Sequence, residues 1–161
     1  MRYLIVSDSH GIHDYLDEVM YSVGHIDGMF HLGDVENRET DIEAQIDCPL
    51  EIVCGNNDSD YFLPQERIVF VGEHKIFMAH GHQYRIHQGT EMIKRAAKEK
   101  GCDIVLFGHT HRPYLEKEED MVIANPGSIT YPRQEDRQPT YMILETDGKN
   151  RVDFKIYRWE E

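Results

Sequence analysis

The chain has 161 residues, of which 17 are Lys or Arg and 30 are Asp or Glu, giving a formal charge of −13. That length supplies one hydrophobic core, so a single domain over residues 1–161 is expected, and the acidic balance argues against a groove that holds long nucleic acid by releasing many counterions. Apolar residues make up 40% of the chain in compact runs, which argues against disorder, and ten histidines stand out because imidazole both ligates metals and moves protons near neutral pH.

In chain order, Tyr3 to Val6 reads as a strand and Asp14 to Val23 as a helix, with Leu16, Val19, Met20 and Val23 on one side and Gly24 as its stop. Strands follow at Gly28 to Leu32 and Leu50 to Val53, with the acidic, weakly patterned stretch Glu36 to Ile46 between them as a surface helix or loop. Val69 to Glu73 and His74 to Ala79 form a hairpin around Gly72. A second amphipathic helix, Glu91 to Lys100, carries Met92, Ile93, Ala96 and Ala97 on one face and Lys94, Arg95, Lys98 and Lys100 on the wet face. Ile104 to Phe107 and Met121 to Ala124 are strands; Thr140 to Thr146 and Arg151 to Arg158, joined by Asp147-Gly148-Lys149-Asn150, make a closing hairpin. Several strands are apolar on both faces, as a sheet covered on both sides requires. The expected fold is α/β, a four-layer α-β-β-α sandwich of two mixed sheets flanked by helices.

Cys48, Cys54 and Cys102 form neither a disulfide framework nor a thiolate metal site, and Cys54 reads as buried packing. With no membrane-spanning run and no signal-peptide layout at the start, a cytoplasmic protein with no membrane partner is expected.

Nearly every strand ends in a polar cluster: Ser7-Asp8-Ser9-His10-Gly11, Gly33-Asp34, Gly55-Asn56-Asn57-Asp58, His80-Gly81-His82, Gly108-His109-Thr110-His111 and Asn125-Pro126-Gly127-Ser128. In α/β sheets ligands bind beyond the carboxyl ends of the strands, so these clusters converge on one rim. Singly, each Asp or Asn reads as a turn or helix cap. Together, two Asp, one Asn and four His exceed what one ion needs and suit two divalent ions about 3.5–4 Å apart. The donor set suits Mn²⁺, Fe, Zn²⁺ or Mg²⁺, with Mn²⁺ taken as the first choice and Ni²⁺ as a further alternative. The glycines beside the ligands read as places where the backbone turns sharply.

These motifs, in this order from Asp8 to Ser128, resemble the calcineurin-like metallophosphoesterases, nearest the small, cap-less YfcE-type phosphodiesterases and the related retromer subunit. The resemblance implies one metal held by Asp8, His10, Asp34 and His111 and a second by Asp34, Asn56, His80 and His109, with Asp34 as bridge. It also implies attack on phosphorus by a metal-bridging hydroxide. Many members carry Gly-Asn-His-Asp where this chain has Asn57, and an amide can donate a hydrogen bond to phosphate but cannot protonate a leaving group. Phosphodiesters with good leaving groups are therefore the expected substrates, with His82 as a substitute proton donor or an outer support of the site.

The remaining histidines divide by context. His31, inside an apolar strand, reads as a hydrogen-bonded core residue; His13, His25, His74 and His87 read as surface residues. The Asn125 to Ser128 turn reads as a tight turn with a pocket wall or phosphate contact as the alternative, and Arg85, Arg112 and Arg133 as solvated surface. The resemblance leaves open a non-catalytic protein-interaction module on the same fold, although a complete ligand set argues against it. A nuclease is disfavoured by the charge balance, short oligonucleotides aside. The closing hairpin offers an edge that a second copy of the chain could pair with.

Overall fold

A computed structural model describes residues 1–12, 14–59 and 62–160. The first sheet has the order β10-β9-β1-β2-β3, built from β1 (Arg2–Val6), β2 (Gly28–His31), β3 (Leu50–Ile52), β9 (Thr140–Thr146) and β10 (Val152–Arg158). The second has the order β4-β5-β6-β8-β7, built from β4 (Glu66–Val71), β5 (His74–Ala79), β6 (Ile104–Leu106), β7 (Pro113–Lys117) and β8 (Val122–Pro126). Both are mixed: β1 pairs parallel with β2 and antiparallel with β9, and β6 lies parallel to both β5 and β8 while β7 runs antiparallel to β8.

Alternation along the strands produces the layers. One side chain in two points between the sheets, where Ile5, Phe30, Leu32, Ile76, Met78, Leu106, Met142 and Leu144 form the central core. The opposite face of the first sheet, with Leu4, Val6 and Met29, packs on Leu16 and Val19 of α1 (Asp14–Ser22) and Ile42 of α2 (Glu39–Glu43). The opposite face of the second sheet, with Phe77, Ala79 and Val105, packs on Ile93 and Ala97 of α3 (Glu91–Glu99). Three apolar clusters separate four layers, the arrangement the strand pattern implies.

Both predicted hairpins form. Val71 faces His74, leaving Gly72 at φ +60° in the turn, and Val152 faces Thr146 across the closing loop. One stretch left open by its pattern resolves, and one strand goes beyond the sequence reading. Glu36 to Ile46 contains only the five-residue α2, because Ile42 alone of that helix is buried and the acidic remainder has no apolar face to dock. Strand β7 has no counterpart among the predicted runs: it is an edge strand, led by a proline, in which Leu115 packs against the central core while Tyr114 and Lys117 face solvent.

Candidate metal centre

The loops that leave β1, β2, β3, β5, β6 and β8 meet at one rim. Five of the seven predicted ligands lie there in the left-handed backbone region: Asp8 (φ +54°), His10 (+49°), Asp34 (+57°), His109 (+67°) and His111 (+57°). Non-glycine residues seldom adopt this conformation, and it clusters where a site over-determines the chain. The glycines act in two ways. Gly11, Gly33 and Gly81 have positive φ, the sharp turning expected of them. Gly55 and Gly108 instead provide room: a Cβ on Gly55 would sit 2.1 Å from Asp34 Oδ1, and one on Gly108 2.0 Å from Ser7 Oγ and 2.9 Å from Asp8 Oδ2.

Asp8, His10, Asp34 and His111 each offer a ligand atom, and these atoms lie within 4.8 Å of one another. Asp8, Asp34 and His111 are buried. His80 Nε2 adds to the group at 3.4 Å from Asp34 Oδ2 and 3.8 Å from Asp8 Oδ1, and it stands 3.0 Å from Asn56 Oδ1. Asp34 Oδ2 is also 3.7 Å from His10 Nε2, so this carboxylate lies between the two predicted ligand sets. His109 stands outside the close group, its ring centroid 5.0 Å from that of His80 and 4.7 Å from that of His87.

The outer nitrogens are fixed. His80 Nδ1 lies 2.6 Å from Leu32 O, His111 Nδ1 2.7 Å from Tyr131 O and His10 Nδ1 2.8 Å from Glu36 Oε1. Carbonyl oxygens only accept, so His80 and His111 must donate from Nδ1, and the carboxylate of Glu36 demands the same of His10. Three Nε2 lone pairs therefore face inward with the carboxylates of Asp8 and Asp34. His10 Nε2 and His111 Nε2 are 3.1 Å apart, and Asp8 Oδ1 is buried without a well-directed hydrogen bond, with His111 Nε2 at 3.2 Å. A centre made of acceptors requires a cation or protons. Without a metal, protons fill the role. Burial would lower the His80 pKa, but Asp34 and Asp8 outweigh it and raise it. Burial would raise Asp8 and Asp34, but His111 and His80 for Asp8, and His80 and Asn57 for Asp34, hold both carboxyls below their ordinary range. The donor set thus fits a metal.

Supporting contacts tie the loops together. Asp58 accepts from the amides of Asp34 (2.7 Å), Gly55 (2.9 Å) and Glu36 (2.7 Å), joining the β2 and β3 loops. Ser7 donates to Asp8 Oδ2 (2.6 Å), and Ser128 donates to Asp8 O (2.8 Å). Asn125 donates to Gly108 O (3.0 Å), so the Asn125 to Ser128 turn braces the centre from outside. Asn57 gives Asp34 two hydrogen bonds, from its amide to Oδ1 (2.8 Å) and from Nδ2 to Oδ2 (2.9 Å), and the His82 ring lies 5.5 Å from that of His80.

The other histidines mostly follow their contexts. His31 is buried, accepts from Gly33 N at Nδ1 and so donates from Nε2 to Ser9 Oγ, 2.9 Å away. His25 is exposed, and His13 lies outside the described residues. His74 differs from its surface reading: its side chain is 13% exposed and bonds Asp103 Oδ2 at 2.7 Å, because Asp103, immediately before β6, lies beside the start of β5, where it also accepts from Lys75 N at 2.8 Å. His87 is exposed as read, yet its ring lies against His109. Arg112 and Arg133 are exposed and line cavities beside the centre. Sequence alone points to no role for Glu36 or Ser7 and gives Ser128 only a turn or pocket-wall reading; Asp58 carries a visible signal, as the last residue of the Gly55-Asn56-x-Asp58 motif.

The calcineurin-like phosphoesterase superfamily domain matches residues 1–149. A probable metallophosphoesterase of Methanothermobacter thermautotrophicus is 32% identical over 160 residues, 96% of this chain and 90% of that one. The crystal structure of a predicted phosphoesterase from Streptococcus pneumoniae superposes with a TM-score of 0.84 at 30% identity, covering 98% of this chain and 88% of its own. Vps29 of Entamoeba histolytica, solved with zinc, shares the fold at a TM-score of 0.78 and 22% identity, covering 98% and 99% of the two chains. No helix among the described residues is long and apolar enough to cross a membrane.

Proposed function

The chain belongs to the calcineurin-like phosphoesterase superfamily, and from that footing we propose that it is a dinuclear metal-dependent phosphodiesterase. The observation that carries the reading is the inward set of acceptors, three imidazole Nε2 atoms and two carboxylates, each imidazole held by a bond at its Nδ1. Asp8, His10, Asp34 and His111 would hold one ion, and Asp34, Asn56, His80 and His109 the other, with Mn²⁺ the first choice among Mn²⁺, Fe, Zn²⁺, Ni²⁺ and Mg²⁺. When bound, such ions supply positive charge at the phosphoryl oxygens and lower the pKa of a coordinated water.

The residues of the chain set the rest. Glu36, Leu32 O and Tyr131 O aim the imidazoles, and Asn57 directs its amide at Asp34, from where the same group could donate to a phosphoryl oxygen. Asn57 cannot protonate a departing alkoxide at neutral pH, so aryl phosphodiesters, whose leaving groups need no acid, are the favoured class.

The test is to quantify metal in the purified chain and to assay bis(p-nitrophenyl) phosphate and p-nitrophenyl phosphate with Mn²⁺, in the native protein and in Asp34→Asn. The diester should be cleaved, the activity should vanish with chelator, and the variant should lose on the order of a hundredfold or more. Two bound metals in an intact protein that cleaves none of a broad ester panel would favour an interaction module on this fold. Unchanged activity in Asp34→Asn would overturn the bridging assignment.

A further inference from the structure

Two cavities flank the centre and meet at Arg133. One, of about 620 Å³, has His10 and His111 in its wall together with Tyr131, Arg133 and Arg137. The other, of about 660 Å³, begins at His87, whose ring lies against His109, and includes Arg112 and Arg133 over an apolar floor of Ile86, Phe107 and Tyr114. Each is the size of a small-ligand site; the first opens at His10 and His111 of the candidate centre, and the second at His87, whose ring neighbours that of His109.

The charge is the unexpected feature. On a chain with 30 acidic and 17 basic residues, neither cavity has an Asp or Glu in its lining. Of the ten arginines, Arg2, Arg38, Arg67 and Arg158 pair with a carboxylate, and Arg112, Arg133 and Arg137 are three of the six that have no such partner among the described residues. Three uncompensated guanidiniums beside the candidate centre add positive potential on a chain of net charge −13, and a guanidinium fork matches the geometry of a phosphate. Arg133 is held in place at its backbone, where its amide donates to His111 O at 2.9 Å.

We propose that this arginine-lined trough is a binding site for a second phosphate of the substrate, so that the preferred substrates are phosphodiesters in which one ester group carries a further phosphate, with Arg133 and Arg112 determining that specificity. The apolar floor would take the carbon body that links the two phosphates. The proposal rests on the reading of the centre as a phosphodiesterase site.

The experiment compares two substrates with one leaving group: thymidine 5′-(p-nitrophenyl phosphate) and the same ester carrying a 3′-phosphate, each with the Mn²⁺-loaded full chain. The 3′-phosphorylated ester should have the higher kcat/KM by about tenfold or more, mainly through KM, with an advantage that shrinks as salt is added. The ratio should fall towards one in Arg133→Gln and Arg112→Gln, and Arg133→Lys should keep part of it. A ratio of one or less in the native protein, or an unchanged ratio in both glutamine variants, would overturn the proposal. Cleavage of neither ester would instead tell against the underlying phosphodiesterase reading. Calorimetric titration of thymidine 3′,5′-bisphosphate into the metal-free protein then decides the subsite alone. About tenfold weaker binding in Arg133→Gln supports it, and equal binding overturns it.

Discussion

Replacing Gly55 by alanine probes whether the β3 loop approaches the centre as closely as the structure shows. The added Cβ would lie 2.1 Å from Asp34 Oδ1, 2.3 Å from Asp34 N and 2.8 Å from Asp34 Cγ, against ordinary contacts of 3.4 Å or more. Two of those atoms belong to a carboxylate proposed to bridge two metals, and the third is an amide already bonded to Asp58 Oδ2 at 2.7 Å. No rotamer change relieves a clash with a backbone atom, so one loop must move by about 1 Å, at a cost of about 1–3 kcal/mol for overpacking. Weakening a bond to a charged acceptor adds up to about 1.5–3 kcal/mol. For a domain of this size, each kcal/mol lowers Tm by roughly 2–4 °C, so a loss of about 3 kcal/mol lowers Tm by about 6–12 °C. Circular dichroism melting in chelator measures the fold, and calorimetric titration with Mn²⁺ measures the site, where affinity should fall at least tenfold because a 1 Å shift of Asp34 spoils its reach to both His10 and His80. Gly24→Ala is the control: its φ is +69° with nothing within 4 Å, so it carries only the strain of a left-handed alanine, about 1–2 kcal/mol. A Gly55→Ala protein that melts within 2 °C of the native one, on the order of the assay's resolution, and binds Mn²⁺ equally well would refute the reasoning.

Three further outcomes are expected. Glu36→Gln removes the charged partner of His10 Nδ1 and should weaken Mn²⁺ binding about 10–100-fold by calorimetry, since bonds that orient a ligating imidazole have that influence. Saturating Mn²⁺ at about 100 times its Kd should stabilise the native protein by about 2.7 kcal/mol, seen as a Tm about 5–11 °C above that in chelator; Asp34→Asn should show a much smaller rise. His109 has its pKa lowered to about 4, first by burial and then by the nearby charges of His80 and His87. A lowered folded-state pKa means that the unfolded chain takes up the proton first, near pH 6.5, so this contribution to stability is full above that pH and is lost as the pH falls towards 4. In chelator, His109→Gln should therefore flatten the fall of Tm between pH 6.5 and 4, and parallel native and variant curves would refute the assignment.

Strand ends were legible in the sequence because an apolar run that stops at a polar cluster is a local pattern, and six such clusters sit at the rim. Asp8, His10, Asp34 and His111 were named from that pattern and lie together. What escaped was the support, since it is made between loops distant in sequence and often through the backbone. Ser128 reaches Asp8 O across 120 residues, and His111 is aimed by the carbonyl of Tyr131, an atom whose position no side-chain identity reveals. The glycines show the same limit. A positive φ could be suspected at Gly33 or Gly81, but Gly55 and Gly108 are small because Asp34, Ser7 and Asp8 stand against them, which only the fold discloses. Strand β7 escaped because an edge strand buries little, and His74 because its partner Asp103 comes from beyond a helix.

The left-handed ligands bear on how the centre forms. Each non-glycine residue held there costs on the order of 1–3 kcal/mol, and Asp8, His10, Asp34, His109 and His111 all adopt it. Hydrogen bonds already hold several of these turns: His10 N donates to Asp34 O, Asp8 N to Gly33 O and His109 N to Asp8 Oδ2, while Asp58 clasps the amides of Asp34 and Glu36. These bonds, together with the two-sheet core beneath them, offset the strain. For a cation to bind there, protons would have to give way to it: the Nδ1 hydrogen of His80 is committed to Leu32 O, so His80 would ligate through Nε2 and would first lose the proton that Asp34 and Asp8 favour on it. The small number of well-aimed acceptors that results, three imidazole Nε2 atoms and two carboxylates, is what would concentrate the binding energy at one point of the rim.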